Sequence, residues 1–196
     1  MAQIMAEKIE IAIGEKPLEE VNGDDAFYQQ NGNDYFISLF DGAGHGKSAH
    51  SIASTTRSFL KQSYQTDLPV LMEQLHNNLR STNGGVAIIA NLDINSLRFD
   101  YVGIGNIFMC KVGKEVQRFI CQQGVLGYQI RTPVKNTVQL VPGEILILYS
   151  DGIMSNFDPK DYPSIYTDNA ETIAQNITRK FAKASDDATC LVIRVN

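Results

Sequence analysis

Four short segments of this chain place aspartate where a strand meets a turn. They are Asn22-Gly23-Asp24-Asp25-Ala26-Phe27, Asp41-Gly42-Ala43-Gly44-His45-Gly46, Ser150-Asp151-Gly152 and Ser185-Asp186-Asp187-Ala188-Thr189. Carboxylates at strand ends can converge on one edge of a sheet. Hard divalent cations such as Mg²⁺ or Mn²⁺ take oxygen ligands, and several carboxylates can hold two of them. A glycine after the aspartate lets the backbone come close, so its carbonyl can ligate as well. Asp-Gly is also an ordinary turn dipeptide, so each segment alone reads as a turn. All four together, each at a strand boundary, make a candidate cation site.

A second chemistry competes for the same residues. A Walker A loop is Gly, four residues, then Gly-Lys-Ser/Thr, set between a strand and a helix. Gly46-Lys47-Ser48 closes a glycine-rich loop in that context, but the first glycine of the motif falls on Asp41. A carboxylate there aims negative charge into a cradle meant for anions. The chain downstream also lacks repeated strand-helix units.

The elements that must position these residues are mostly short strands. Ile9, Ile11 and Ile13 alternate with Glu10 and Ala12 as in a half-buried strand. Asn31-Gly32-Asn33-Asp34 is a hairpin turn between 26–30 and 35–40. A second hairpin joins 86–91 to 97–102, and strands follow at 107–111, 116–120, 145–149 and 189–195. Three segments carry the helical period instead. In 47–62 one face holds Ala49, Ile52, Ala53, Thr56, Phe59 and Leu60. In 68–80 the stripe is Leu68, Leu71, Met72, Leu75 and Leu79, with Asp67 placed as N-cap and Pro69 in the first turn. In 169–184 it is Ile173, Ala174, Ile177 and Phe181, behind the capping-box spacing of Asp168 to Glu171. Regular alternation of strand and helix is missing, so the expected class is α+β, antiparallel sheets with segregated helices.

Composition narrows the function classes. With 43% hydrophobic and 20% charged residues the chain reads as one globular domain, residues 1–196. The net charge of −5, without a basic stripe, argues against a nucleic-acid binder. No apolar run approaches the ~20 residues of a membrane span. The segment Met1–Lys8 lacks signal-peptide anatomy. Cys110, Cys121 and Cys190 are odd in number and far apart, which argues against a disulfide framework or a cysteine zinc site and for a reducing, cytoplasmic setting.

With these residues assembled, the chain resembles a metal-dependent (PPM, type 2C) serine/threonine protein phosphatase of the SpoIIE-like branch, most of all the small RsbX-type stressosome phosphatases. The likeness runs from about Ile9 to Val195. Gly23 to Phe27 is similar to the first acidic motif. Asp41-Gly42-Ala43-Gly44-His45-Gly46 with Ala49 and Ala53 resembles the Asp-Gly-x-Gly-x-Gly turn and helix. Gly103-Ile104-Gly105-Asn106 resembles the central Gly-x-Gly-Asn segment, and Gly124-Val125-Leu126-Gly127 a loop of the RsbX-like group. Leu148 to Ile153 and Asp186 to Thr189 resemble the last two acidic motifs.

The resemblance implies a four-layer α-β-β-α sandwich of two antiparallel sheets flanked by helices. It implies two Mn²⁺ or Mg²⁺ ions. Asp41 bridges both, Asp25 and the Gly42 carbonyl hold one, and Asp151 and Asp186 the other. Asp41 and Asp25 are thereby the catalytic pair. It implies attack of a metal-bridging water or hydroxide on phosphoserine or phosphothreonine, chemistry that two cations suit by acidifying water and neutralising phosphoryl charge. The substrate is expected to be a phosphorylated partner protein of the STAS-domain type. For the first ligand Asp24 and Asp25 compete: Phe27, two residues on, favours Asp25, and the preceding Gly23 favours Asp24. Asp187 is expected to support Asp186 from behind.

Departures from the family accompany the match. Larger relatives carry a histidine directly after Asp-Gly, where this chain has Ala43. His45 stands two positions later, as a candidate acid or a plain exposed loop residue. No arginine precedes Arg57, which reads as a solvated helix residue, and His50 and His76 read as ordinary helix residues. The competing functions are a binding module that keeps the fold without turnover and the P-loop NTPase.

Overall fold

The computed structural model describes residues 8–196, so the segment read for signal-peptide anatomy lies, except for Lys8, outside the described residues. In chain order the elements are β1 (Ile9–Lys16), β2 (Asp24–Asn31), β3 (Asp34–Gly42), α1 (Gly46–Ser63), α2 (Leu68–Asn78), β4 (Gly85–Asp93), β5 (Arg98–Ile104), β6 (Phe108–Val112), β7 (Val116–Phe119), β8 (Gly124–Val125), β9 (Gln129–Ile130), β10 (Asn136–Gln139), β11 (Ile145–Tyr149), α3 (Ala170–Phe181) and β12 (Ala188–Val195). Two 3-10 turns, Pro159–Asp161 and Pro163–Tyr166, lie between β11 and α3. One five-stranded sheet runs β1-β12-β11-β6-β7, the other β10-β5-β4-β3-β2, and β8 pairs with β9. The strand pairs are antiparallel.

The period of two along each strand builds the layers. On β3, Ile37 and Leu39 enter the core between the sheets, while Phe36 and Phe40 pack on the helix side with Ile52, Leu60, Leu71 and Leu75 of α1 and α2. On β11 and β12, Leu146, Leu148, Leu191 and Ile193 face the other sheet. Ile147, Cys190 and Val192 pack under Ile173, Ala174 and Ile177 of α3. Both sheets are therefore covered on both faces, which is why β11 reads as an unbroken apolar run. Each of the Leu, Ile, Val and Phe side chains among them stabilises the fold by roughly 1.5–3 kcal/mol, as an upper estimate. The expected α-β-β-α sandwich is the observed one.

Local signals hold with one correction. Asp67 is the N-cap of α2 with Pro69 behind it, although its side chain makes no capping bond. The cap of α3 is Asn169, not Asp168: the Asn169 side chain accepts the Thr172 N–H at 2.8 Å. The Asp168 carboxylate instead takes the Tyr162 hydroxyl at 2.5 Å. Among the described residues no helix is long and apolar enough to cross a membrane.

The ends matter for function. The start of β2, the end of β3, the end of β11 and the start of β12 lie at one end of the sandwich. Those are the four aspartate segments.

Candidate metal centre

Strand register sets the first pair. Asp24 stands directly opposite Asp41 across β2 and β3. Partners directly opposite share a face with Cβ atoms about 5 Å apart, and like charges there repel. This face is the inter-sheet one, because Ala26 and Leu39, two residues on and two before, enter that core. Asp25 is one residue out of phase. It shares the face of Phe27 and Phe40, toward α1. There Arg57 Nε donates to its carboxylate at 2.9 and 2.6 Å, Arg57 Nη2 donates to it as well, and Arg57 Nη2 reaches the Ala26 carbonyl at 2.9 Å.

The other sheet supplies Asp151, Asp186 and Asp187. Asn106 Nδ2 donates to Asp151 at 2.6 Å. Asp187 is buried and accepts the backbone N–H of Leu18 at 2.8 Å and of Gly23 at 3.0 Å, tying the β1–β2 loop to the start of β12. Ser150 is the bridge between sheets. Its hydroxyl donates to Asp24 Oδ2 at 2.6 Å and accepts the Thr189 N–H at 3.0 Å. Gly152 makes this close approach possible, since a Cβ there would lie 1.7 Å from the Asp187 carbonyl oxygen. Gly46 opens α1 at φ +67°, a left-handed turn suited to glycine.

The electrostatics are those of anions crowded without compensation. Burial pushes Asp41 up to about 8, helped by Asp24, Asp151, Asp186 and Asp187. Burial likewise pushes Asp24 up to about 7, against the pull of its bonds to Ser150 and Thr189. Asp186 is raised by burial and by Asp151. Asp25 is raised by burial, opposed by Arg57. An all-oxygen, negative donor set is what a hard divalent cation takes, and a bound cation favours the deprotonated form of the carboxylates that hold it. As the side chains stand, no three His, Cys, Asp or Glu groups among the described residues close around a single point. The fit to a cation therefore rests on donor chemistry and charge.

The structure thus brings together Asp24, Asp41, Gly42, Asp151, Asp186 and Asp187, and turns Asp25 away from them. His45 is exposed at the N-cap of α1, with Nδ1 2.5 Å from Glu19 Oε1. His50 Nδ1 lies 2.9 Å from the Asn22 carbonyl, and buried His76 accepts the Gly127 N–H at 3.1 Å. Arg57 is a correction: it is not a solvated helix residue but the partner of Asp25, with its guanidinium also over the Phe27 ring. The P-loop reading fails on topology, for β3 lies between antiparallel neighbours β2 and β4 and Asp41 faces other carboxylates. Ser150 and Asn106 are additions. Both stood inside motifs the sequence singles out, but only their partners, distant in sequence, reveal what they do.

Comparison with known proteins follows the same lines. The family model described as Stage II sporulation protein E (SpoIIE) matches residues 31–196. No curated protein matches the sequence. A chain solved in work on "the bacterial stressosome: a modular system that has been adapted to control secondary messenger signaling" superposes with a TM-score of 0.87 at 26% identity, over 96% of this chain and 100% of that one. RsbX in complex with magnesium superposes at 0.83 with 17% identity, covering 98% of each chain. The PP2C phosphatase domain of SpoIIE from Bacillus subtilis, with a fragment of its regulatory domain, superposes at 0.81 with 18% identity, over 95% of this chain and 63% of that one.

Proposed function

The chain belongs to the SpoIIE family, within the PPM (PP2C-type) serine/threonine phosphatases, and from that premise we propose that it removes phosphate from phosphoserine or phosphothreonine of a bacterial signalling protein. The observation that carries this is the crowding of Asp24, Asp41, Asp151 and Asp186 at one end of the sandwich, with Asp24 and Asp41 directly opposed. We assign Asp24, Asp41, Gly42, Asp151 and Asp186 to two divalent cations, Mn²⁺ or Mg²⁺. When bound, the ions supply activation of water and neutralisation of the phosphoryl charge.

The chain's own groups do the positioning. The Ser150 hydroxyl donates to one oxygen of Asp24 and so fixes the orientation of that carboxylate. Asn106 orients Asp151 in the same way. Asp187 spends both oxygens on backbone N–H groups and so serves the scaffold. Asp25, held by Arg57, has no place in the ligand set of this reading. Burial raises the thiols of Cys110 and Cys121 to about 12, so neither offers a thiolate nucleophile.

The substrate reading is RsbX-like: a phosphorylated STAS-domain protein of a stressosome or partner-switching module, in the cytoplasm. It is supported by the stressosome chain and RsbX among the similar structures. The test is hydrolysis of p-nitrophenyl phosphate with Mn²⁺, with Mg²⁺ and with EDTA, beside Asp186→Asn. Activity that needs a cation and collapses in the variant supports the reading. Folded protein that stays inactive with either metal favours a binding module that has kept the fold.

A further inference from the structure

Between Glu115 and Glu144 the chain has no acidic residue, although the whole protein carries a net charge of −5. The same stretch holds three cations, Arg118, Arg131 and Lys135. Arg118 lies 3.4 Å from Asp158 and Lys135 3.8 Å from Asp67. Arg131 is exposed and makes no hydrogen bond or ion pair among the described residues.

This stretch is also where large apolar side chains meet solvent. Ile120 is 91% exposed and Tyr128 85% exposed, and Val125 and Val134 are exposed with them. Scattered single apolar residues need no account, but several on one loop region mark an interaction surface. Val125, Tyr128, Ile130 and Arg131 line an open cleft there.

Backbone bonds attach this loop to the metal end of the sandwich. Leu126 and Gly85 exchange N–H and carbonyl at 2.8 and 3.2 Å, and Gly85 pairs in register with Gly42. Gln122 bonds through its backbone to Gly103 at 2.9 Å and to Gly105 at 2.7 Å, just before Asn106, which holds Asp151. The loop thus rims the site.

Resting on the phosphatase reading above, we infer that the 120–135 loop docks the substrate protein, and that it takes an acidic segment flanking the phosphorylated residue. Tyr128 and Ile120 supply rigid and aliphatic anchors, and Arg131 supplies the charge that a polyanionic site alone could not offer an acidic chain. A small phosphate ester does not reach this surface and is indifferent to it.

The test compares three probes: p-nitrophenyl phosphate, a phosphoserine peptide flanked by Asp and Glu, and the same peptide with Asn and Gln in their place. The wild type is expected to favour the acidic peptide by about tenfold in kcat/KM, with the preference fading as salt is added. The double variant Tyr128→Ser with Arg131→Glu is expected to lose that preference and keep its turnover of p-nitrophenyl phosphate. Fluorescence anisotropy of the labelled acidic peptide reads binding separately from turnover. Equal handling of the two peptides by the wild type, or a preference that survives in the variant, overturns the inference. So does a variant whose only change is its oligomeric state in size-exclusion chromatography, since the face would then join copies of the chain. Absence of all p-nitrophenyl phosphate turnover in the wild type counts instead against the phosphatase reading, and the anisotropy result still decides whether the loop binds acidic peptide.

Discussion

Arg57 on α1 holds both carboxylate oxygens of Asp25 on β2, while Asp24, one residue earlier, points to the opposite face and takes the Ser150 hydroxyl. The two neighbours therefore do different work. Asp24→Asn is expected to lower metal-dependent turnover by about a hundredfold or more, since it removes a ligand charge. Asp25→Asn is expected to leave turnover nearly unchanged and to cost about 1–2 kcal/mol of stability, a figure kept low because the Arg57 guanidinium is partly in solvent. Phosphatase assays paired with urea melts on the two variants decide this. The opposite pattern would move the ligand role to Asp25.

How much of this was legible depends on how local its cause is. The hairpin of β2 and β3 and the helices α1 and α2 announce themselves through turn residues and apolar period, because those signals lie within a few residues of what they form. The opposite facing of Asp24 and Asp25 was also legible in principle. Phe27 marks the helix face of β2, and the period of two puts Asp25 on that face with it. Arg57 was not legible, because its partner is 32 positions away. Nor was the pairing of β1 with β12, which joins the two ends of the described chain. The edge strand β10 carries little signal in the sequence, because only Val138 of its four residues is buried. The site's scaffolding, Ser150 to Asp24 across 126 positions, belongs to the same class of long-range fact.

Burial of Asp41, with Asp24, Asp151, Asp186 and Asp187 around it, disfavours its charged form and is expected to weaken the metal-free fold. Asp41→Asn keeps the shape and removes one charge. It is expected to stabilise the metal-free fold by about 1–2 kcal/mol, or about 2–8 °C in melting temperature for a chain of this size. It should also abolish the rise in melting temperature that Mn²⁺ or Mg²⁺ gives the wild type. Differential scanning fluorimetry with EDTA and with each cation measures both. A destabilised variant that still responds to the cation would count against Asp41 as a ligand.

Burial and the neighbouring carboxylates also set the sign of a pH effect. They push Asp24 up to about 7 and Asp41 up to about 8 in the fold, above an ordinary carboxylate. The folded state therefore holds more protons than the unfolded one across that interval. Stability of the metal-free protein is fully present below the ordinary carboxylate range, falls as pH rises from there to the folded values, by at most about 1.4 kcal/mol per pH unit for each group, and levels off above them. Melts in EDTA between about pH 5 and about pH 8 should show this decline, and the double variant Asp24→Asn with Asp41→Asn should flatten it. With Mg²⁺ present the trend should weaken or reverse, because cations bind the deprotonated groups. A wild type in EDTA no steeper than the double variant would overturn the assignment of this charge to the pair.

Ser150 tests whether the bridge between sheets serves the metal or only the fold. Its hydroxyl is fully buried, donates to Asp24 and accepts from the Thr189 backbone. Ser150→Ala removes both bonds and leaves a buried N–H and a buried carboxylate oxygen without their partner, at a cost of about 1–3 kcal/mol. A structural role alone would show in the melt and not in cation affinity. Because the hydroxyl also fixes the orientation of Asp24, affinity for Mn²⁺ measured by isothermal titration calorimetry is expected to fall about 10–100-fold. Ser150→Thr, which restores a hydroxyl on the same carbon, should recover much of that affinity even if the extra methyl group costs stability. Unchanged cation affinity in Ser150→Ala would assign the bridge to the scaffold and leave Asp24 oriented by the strand alone.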